Sequence, residues 1–474
     1  MTSLLLAGFF FAFLALGLRR PFLWVLLYIY VDSLAPQKIA WSILPSLPVS
    51  LIAFVLAVAS WLLLDNKADA RFTWRQGLML VLLVYCGMTT LTADFPDAAL
   101  TKWGWVWKAL VFASFLPLTL RTRARFEAVV LVMVLSVGAI VIDGGIKTLV
   151  TGGGYGSMQL FVADNTGLYE GSIISTMAIA VMPLIVFLAR HGTVFPPDWR
   201  VRLFATGLGF ACMLIPVGTQ ARTGLLCIGL MGLLMLRTVK RPLVYIGAAA
   251  VLGMAAIPFL PKSYVERMGT IQNHQADESA STRMAVWAWT LSYVADHPFG
   301  GGFEAYRQNK LHIETRAVSR DGNTAHVEVE HVEDQARAYH SSYFEMLGEQ
   351  GWPGLGLWLL LQMSGVVQME IVYRRWRARR APGERWQAPL ALALQQAQLI
   401  YLLGGAFVGI AFQPFILMLV GLQAGLWSYL GRLAKARQRE AAYAALVARN
   451  QAQAGAGGVP ALGGGLDGGL GATR

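Results

Sequence analysis

Charge is scarce in this sequence: Asp, Glu, Lys and Arg make up 14% of the residues, against about 25% in an average soluble domain. That shortage argues against a soluble fold. Cysteine is scarcer still, with Cys86, Cys212 and Cys227 all inside apolar runs, so neither a disulfide framework nor a thiolate metal site is expected. The Walker A loop, the dinucleotide fingerprint after a strand and the HExxH motif are all missing. Nucleotide hydrolysis and zinc peptidase chemistry therefore lack support, and no cofactor or metal is expected. The opening stretch MTSLLLAGFFFAFLALGLRRPF has neither a basic segment before its apolar core nor a small-residue cleavage site. It reads as a retained helix, not a signal peptide.

What is abundant is apolar. Hydrophobic residues are 56% of the chain and the mean hydropathy is positive. Runs near residues 3–18, 22–35, 47–64, 77–92, 103–118, 127–149, 170–189, 203–217, 222–236, 242–260, 343–372, 391–411 and 414–432 approach the roughly 17 to 25 residues that cross a bilayer. The first two are short enough to form a broken pair, so the spacing predicts an all-α polytopic membrane protein with about twelve spans, or thirteen. One polar loop, expected to contain short helices, interrupts the series. The organisation expected is an N-terminal helical bundle over 1–260, the loop over 261–342, C-terminal spans over 343–432 and a partly disordered cytoplasmic tail over 433–474. The glycine-rich end of that tail has no means of burying a core.

Arginines mark alternate connections: Arg121, Arg123 and Arg125; Arg190, Arg200 and Arg202; Arg237 and Arg241; and the run Arg374 to Arg385. The positive-inside rule puts these in the cytoplasm and the 261–342 loop in the periplasm. The net charge of +12 sits in such juxtamembrane clusters, which points to membrane lipids and not to nucleic acid.

The loop is about a sixth of the chain yet holds six of seven histidines, His274, His297, His312, His326, His331 and His340. His340 lies where AYHSSYFEMLGEQGWPGLGLWLLL turns from polar loop to membrane helix, at headgroup depth, where an imidazole suits proton removal from a hydroxyl. An interfacial cap is the alternative. Arg222, in VGTQARTGLL, breaks the charge rule by opening a helix on the outer side, and its planar fork suits a phosphate; a lipid headgroup or a loop carboxylate is the other possible partner. Arg283 follows Ser279, Ser281 and Thr282 at the start of the loop segment STRMAVWAWTLSYVADH, where a helix N-terminus would add to its pull on an anion. A solvated arginine fits there equally well. Lys102 and Lys108, in and beside an apolar run, are candidate ligands for an anionic group, with snorkelling as the alternative. The glycines of HPFGGGFEAY would let the backbone turn tightly and approach a ligand closely. The acidic run VEVEHVED reads as solvated.

Three of these stretches, TQARTGLL, STRMAVWAWTLSYVADHPFGGGFEAY and HSSYFEMLGEQGWPGLGLWLLL, carry a resemblance to the O-antigen ligase and polymerase superfamily of bacterial membrane glycosyltransferases. They cover about residues 205 to 372. The early stretch RPFLWVLLYIYVDSLAPQKIAWSILPSLPVSLI also looks like a ligase subgroup. Family members often carry Asn after the histidine, where this chain has Ser341. The resemblance implies a GT-C-like, inner-membrane enzyme with its active site facing the periplasm. It implies transfer of a glycan from undecaprenyl diphosphate to the lipid A-core, with inversion and without metal or ATP. His340 would be the base, Arg222 and Arg283 would hold the diphosphate, and Tyr339, Lys102 and Lys108 would help bind donor or glycan. O-antigen polymerase and protein O-glycosylation ligase would use the same donor; a lipid or glycan transporter belongs to another class.

Overall fold

In the computed structural model the apolar runs become helices. It describes residues 2–456 except 42, 66, 68–69, 155–159, 161–166, 257, 259–260, 262–263, 265–277, 322–323 and 380. The elements before the loop are α1 (Thr2–Arg19), α2 (Phe22–Leu34), α3 (Val49–Leu64), α4 (Trp74–Leu91), α5 (Pro96–Thr119), α6 (Arg123–Thr151), α7 (Gly171–His191), α8 (Trp199–Gly218), α9 (Arg222–Leu236) and α10 (Pro242–Ala256). The loop contributes α11 (Glu278–Asp296), β1 (Lys310–Asp321) and β2 (Thr324–Gln335); α12 (Ser342–Trp376), α13 (Gln387–Gly405) and α14 (Pro414–Ala456) follow. Each apolar run expected to span coincides with one of these helices.

Polar residues fix several starts. Thr73 and Gln76 form a reciprocal capping box on α4, Thr122 accepts from the Arg125 N–H on α6, and Asp198 accepts from the Trp199 N–H on α8, satisfying donors that a bare helix end leaves orphaned. Among the described residues α6, α7, α8, α12 and residues 414–451 are long and apolar enough to cross a membrane, while α1, α2, α3, α9 and α10 are apolar but shorter. The chain is a membrane protein. α7 is its packing centre, set against α6, α8, α9 and α13. α8 and α10 instead expose Leu203, Phe204, Phe210, Leu243 and Val251, as helices facing hydrocarbon do.

The loop differs from the expectation of short helices alone. β1 and β2 form an antiparallel hairpin with Lys310 opposite Gln335 and Asp321 opposite Thr324. The reason is visible in LHIETRAVSRDGNTAHVEVEHVED, which alternates polar and apolar residues on either side of a Gly-Asn pair. VEVEHVED is therefore strand. His312, His326 and His331 also fall on these strands, and His274 lies outside the described residues. The chain divides into two units, Met1–Ser428 and Tyr429–Arg474; the first holds all that follows.

Candidate active site

His340 stands immediately before the first residues of α12, and its backbone is left-handed (φ 47°). A non-glycine residue keeps that conformation only where its surroundings impose it. Two restraints flank it. On the loop side the Trp287 indole donates to the Tyr339 carbonyl at 2.8 Å, and the same indole stacks on Phe344 with centroids 4.9 Å apart. On the helix side Ser342 Oγ donates to the Val408 carbonyl and accepts from the Ile410 N–H, both at 2.9 Å. His340 is thus clamped between α11 and the α13–α14 connection while its side chain keeps solvent access.

Charge gathers around the imidazole. The packed protein around it, then the guanidiniums of Arg283 and Arg337, hold its pKa below the ordinary histidine value, because each disfavours the protonated ring. Arg283 acts on a second group too. Glu170, the residue before α7, is raised above the usual carboxylate range by burial, against a hydrogen bond from Ser172 and the charge of Arg283. The charge of Arg283 thus acts on a group at the start of α7 and on one at the start of α12.

Arg222 opens α9 after a tight turn whose Gln220 is also left-handed (φ 52°). Thr219 Oγ1 meets Ser175 Oγ of α7 at 2.8 Å. A Cβ on Gly171 would sit 3.1 Å from the Thr219 side chain, so the turn rests on the first residues of α7. Two helices, α9 and α10, separate Arg222 from the loop in sequence. The turn before α9 thus rests on the start of α7, and the charge of Arg283 acts on both Glu170 and His340.

The remaining candidates sit elsewhere. Tyr339 was expected to face a ligand, but its ring is buried against Val286 and Leu311 because Gly348 leaves room for it on α12. Its burial also raises its hydroxyl well above the ordinary tyrosine value. Lys102 was expected to meet phosphate; instead Nζ lies 2.7 Å from Glu345 and 2.8 Å from Glu349, so carboxylates already offset its charge. Glu345 also accepts from the Ala411 N–H at 3.0 Å and Glu349 from the Glu304 N–H at 3.0 Å. Lys108 reaches Ser50 Oγ at 3.3 Å and belongs to a network around Asp32, away from the loop. The glycines of HPFGGGFEAY approach α12 closely: Gly300 and Gly302 have φ near +79° and +76°, and a Cβ on Gly300 would stand 2.5 Å from the Gly351 nitrogen. Asp94 accepts the Tyr293 hydroxyl, and His297 stacks on Tyr293 at 4.5 Å.

Glu170, Arg337 and the Glu345–Glu349 pair were not singled out in the sequence. Glu170 carries a weak signal, an acid at the start of a long apolar run; the others lack one, since their partners are distant in the chain. A cavity of about 720 Å³ opens beside the Lys102 network, bordered by Asp97, Trp105, Arg307 and Gln413.

Residues 207–359 match the family model of the O-antigen ligases. Residues 207–359 thus carry an O-antigen ligase domain. The matched region runs from α8 through the first half of α12 and includes Arg222, Arg283 and His340. A domain of this family implies a glycosyltransferase-like enzyme that works on a lipid-linked glycan and a lipid acceptor in general. The early stretch resembling a ligase subgroup falls instead under a second model, a family of unknown function (DUF5935), which matches residues 1–193. No curated protein matches the chain.

Proposed function

We propose that the protein is an inverting O-antigen ligase that moves a glycan from undecaprenyl diphosphate onto the lipid A-core, at a site on the periplasmic side of the inner membrane. About twelve helices would span, with the 261–342 segment outside. The observation that carries this reading is the clamped His340 beside Arg283 at the head of α12. The acceptor hydroxyl would attack the anomeric carbon as its proton passes to His340. The bond from that carbon to the diphosphate oxygen would break, and the electron pair would leave with the lipid diphosphate.

Arg222 and Arg283 would offset the charge growing on that leaving group. Preorganised guanidiniums in a site walled from water are worth far more than in bulk solvent. The activated sugar needs no ATP, and the arginines fill the part that a divalent ion fills elsewhere. The carboxylates and Trp105 of the cavity beside Lys102 suit the hydroxyls and apolar face of a sugar, which makes it our assignment for the acceptor glycan.

The test is reconstitution of the purified protein with undecaprenyl-diphosphate glycan and rough lipopolysaccharide. A glycan ladder on the lipopolysaccharide without added ATP is the expected result. Movement of intact donor across the bilayer without bond exchange would overturn the reading in favour of transport.

A further inference from the structure

At the opposite end of the bundle from His340 lies a cavity of about 650 Å³ between the ends of α7, α9 and α12 and the start of α13. Its polar rim carries four arginines, Arg190, Arg377, Arg379 and Arg385, against one carboxylate, Glu384. They come from two separate stretches of sequence, so the convergence is made by the fold. Arg379 is shared between Glu384 at 3.3 Å and the face of Trp376 at 4.4 Å. The opposite wall is apolar, formed by Met182, Pro183, Met231 and Met235. A cationic rim above an apolar wall between helices has the shape of an amphiphile: a free inorganic anion would use the rim alone, and an uncharged lipid only the wall.

We propose that this cavity binds an anionic phospholipid of the phosphatidylglycerol class, its phosphate on the arginines and its acyl chains along the methionine wall. Guanidinium forks match phosphate oxygens in pairs, and methionine adapts to irregular chains. The bound lipid would tie α7 to α12 at the ends remote from Glu170 and His340.

Purified full-length protein in uncharged detergent is titrated with phosphatidylglycerol, phosphatidylcholine or inorganic phosphate, and binding is read by native mass spectrometry and thermal stability. Phosphatidylglycerol should bind and raise the melting temperature; phosphatidylcholine and inorganic phosphate should do neither. The Arg190→Gln/Arg377→Gln variant should bind at least tenfold more weakly, while Lys240→Gln/Arg241→Gln, which removes equal charge outside the cavity, should bind as wild type. Met235→Trp, which fills the wall and keeps every arginine, should also bind at least tenfold more weakly and guards against misfolding of the arginine variant. Equal loss in both charge variants, unchanged binding by Met235→Trp, or equal binding of phosphatidylcholine or phosphate would overturn the proposal.

Discussion

At the scale of single residues, the fate of each candidate depends on what its side chain meets. For the proposed base the sign of the pH dependence is set. Only neutral His340 accepts a proton, and its pKa is held below the ordinary value by the surrounding protein and by Arg283 and Arg337. Transfer should therefore be flat above about pH 6.5 and fall only at lower pH. Arg283→Gln removes one of those cations, so besides slowing transfer it should move the acidic limb upward; a limb that stays put would detach Arg283 from His340. Lys102 makes a different prediction. Its loss strands Glu345 and Glu349, which are 9% and 1% exposed, and breaking a buried pair costs about 3–5 kcal/mol. Lys102→Met should thus lower the melting temperature sharply, and adding Glu349→Gln should recover part of it. The sequence marked His340 and Arg222 because a polar residue beside an apolar run is conspicuous, and Arg283 because capping residues precede it at a helix start. It did not reveal that the Tyr339 ring packs inward, since adjacency to His340 does not tell which way a ring points, or that Lys102 meets carboxylates over 240 positions away.

At the scale of elements, helices were legible and the loop was not. Apolar runs announce themselves by length, and each coincides with a helix, though the helix over 103–118 starts at Pro96 and the one over 414–432 continues to Ala456. The hairpin is masked in the sequence because the charge of VEVEHVED marks a solvated run, and only its alternation, paired with that of LHIETRAVSRD, marks strands. The glycines of 300–302 were recognised as permissive, but their purpose required the kink in α12. There Gly351 has φ 64° and ψ −169°, a region open almost only to glycine. Gly301 and Gly302 donate from their N–H groups to the Gly348 and Glu349 carbonyls at 3.1 and 2.9 Å. Gly351→Ala should therefore destabilise the loop against α12 by about 1–3 kcal/mol, read as a lower melting temperature. Because the same helix begins after His340, transfer should fall with it.

At the scale of the whole molecule, the proposed chemistry would lie at one end of the bundle and the proposed cationic anchoring at the other. α7 and α12 run between them, from Glu170 and His340 to the rim that holds Arg190 and Arg377. Since arginines would carry the leaving group's charge, chelation of divalent ions should leave transfer unchanged, measured as ladder formation with and without a chelator; its loss would turn attention to Asp94 and Asp97. The family match covers the α8–α12 region that bears the candidate residues, while α1 to α7 fall mainly under a family of unknown function. The account stands or falls on His340 as the proton acceptor at that end. The direct measurement is ladder formation by His340→Ala in proteoliposomes, with folding checked by melting temperature and donor binding measured alongside. The expectation is a folded protein that still binds donor and forms no ladder; turnover near the wild-type rate would contradict it.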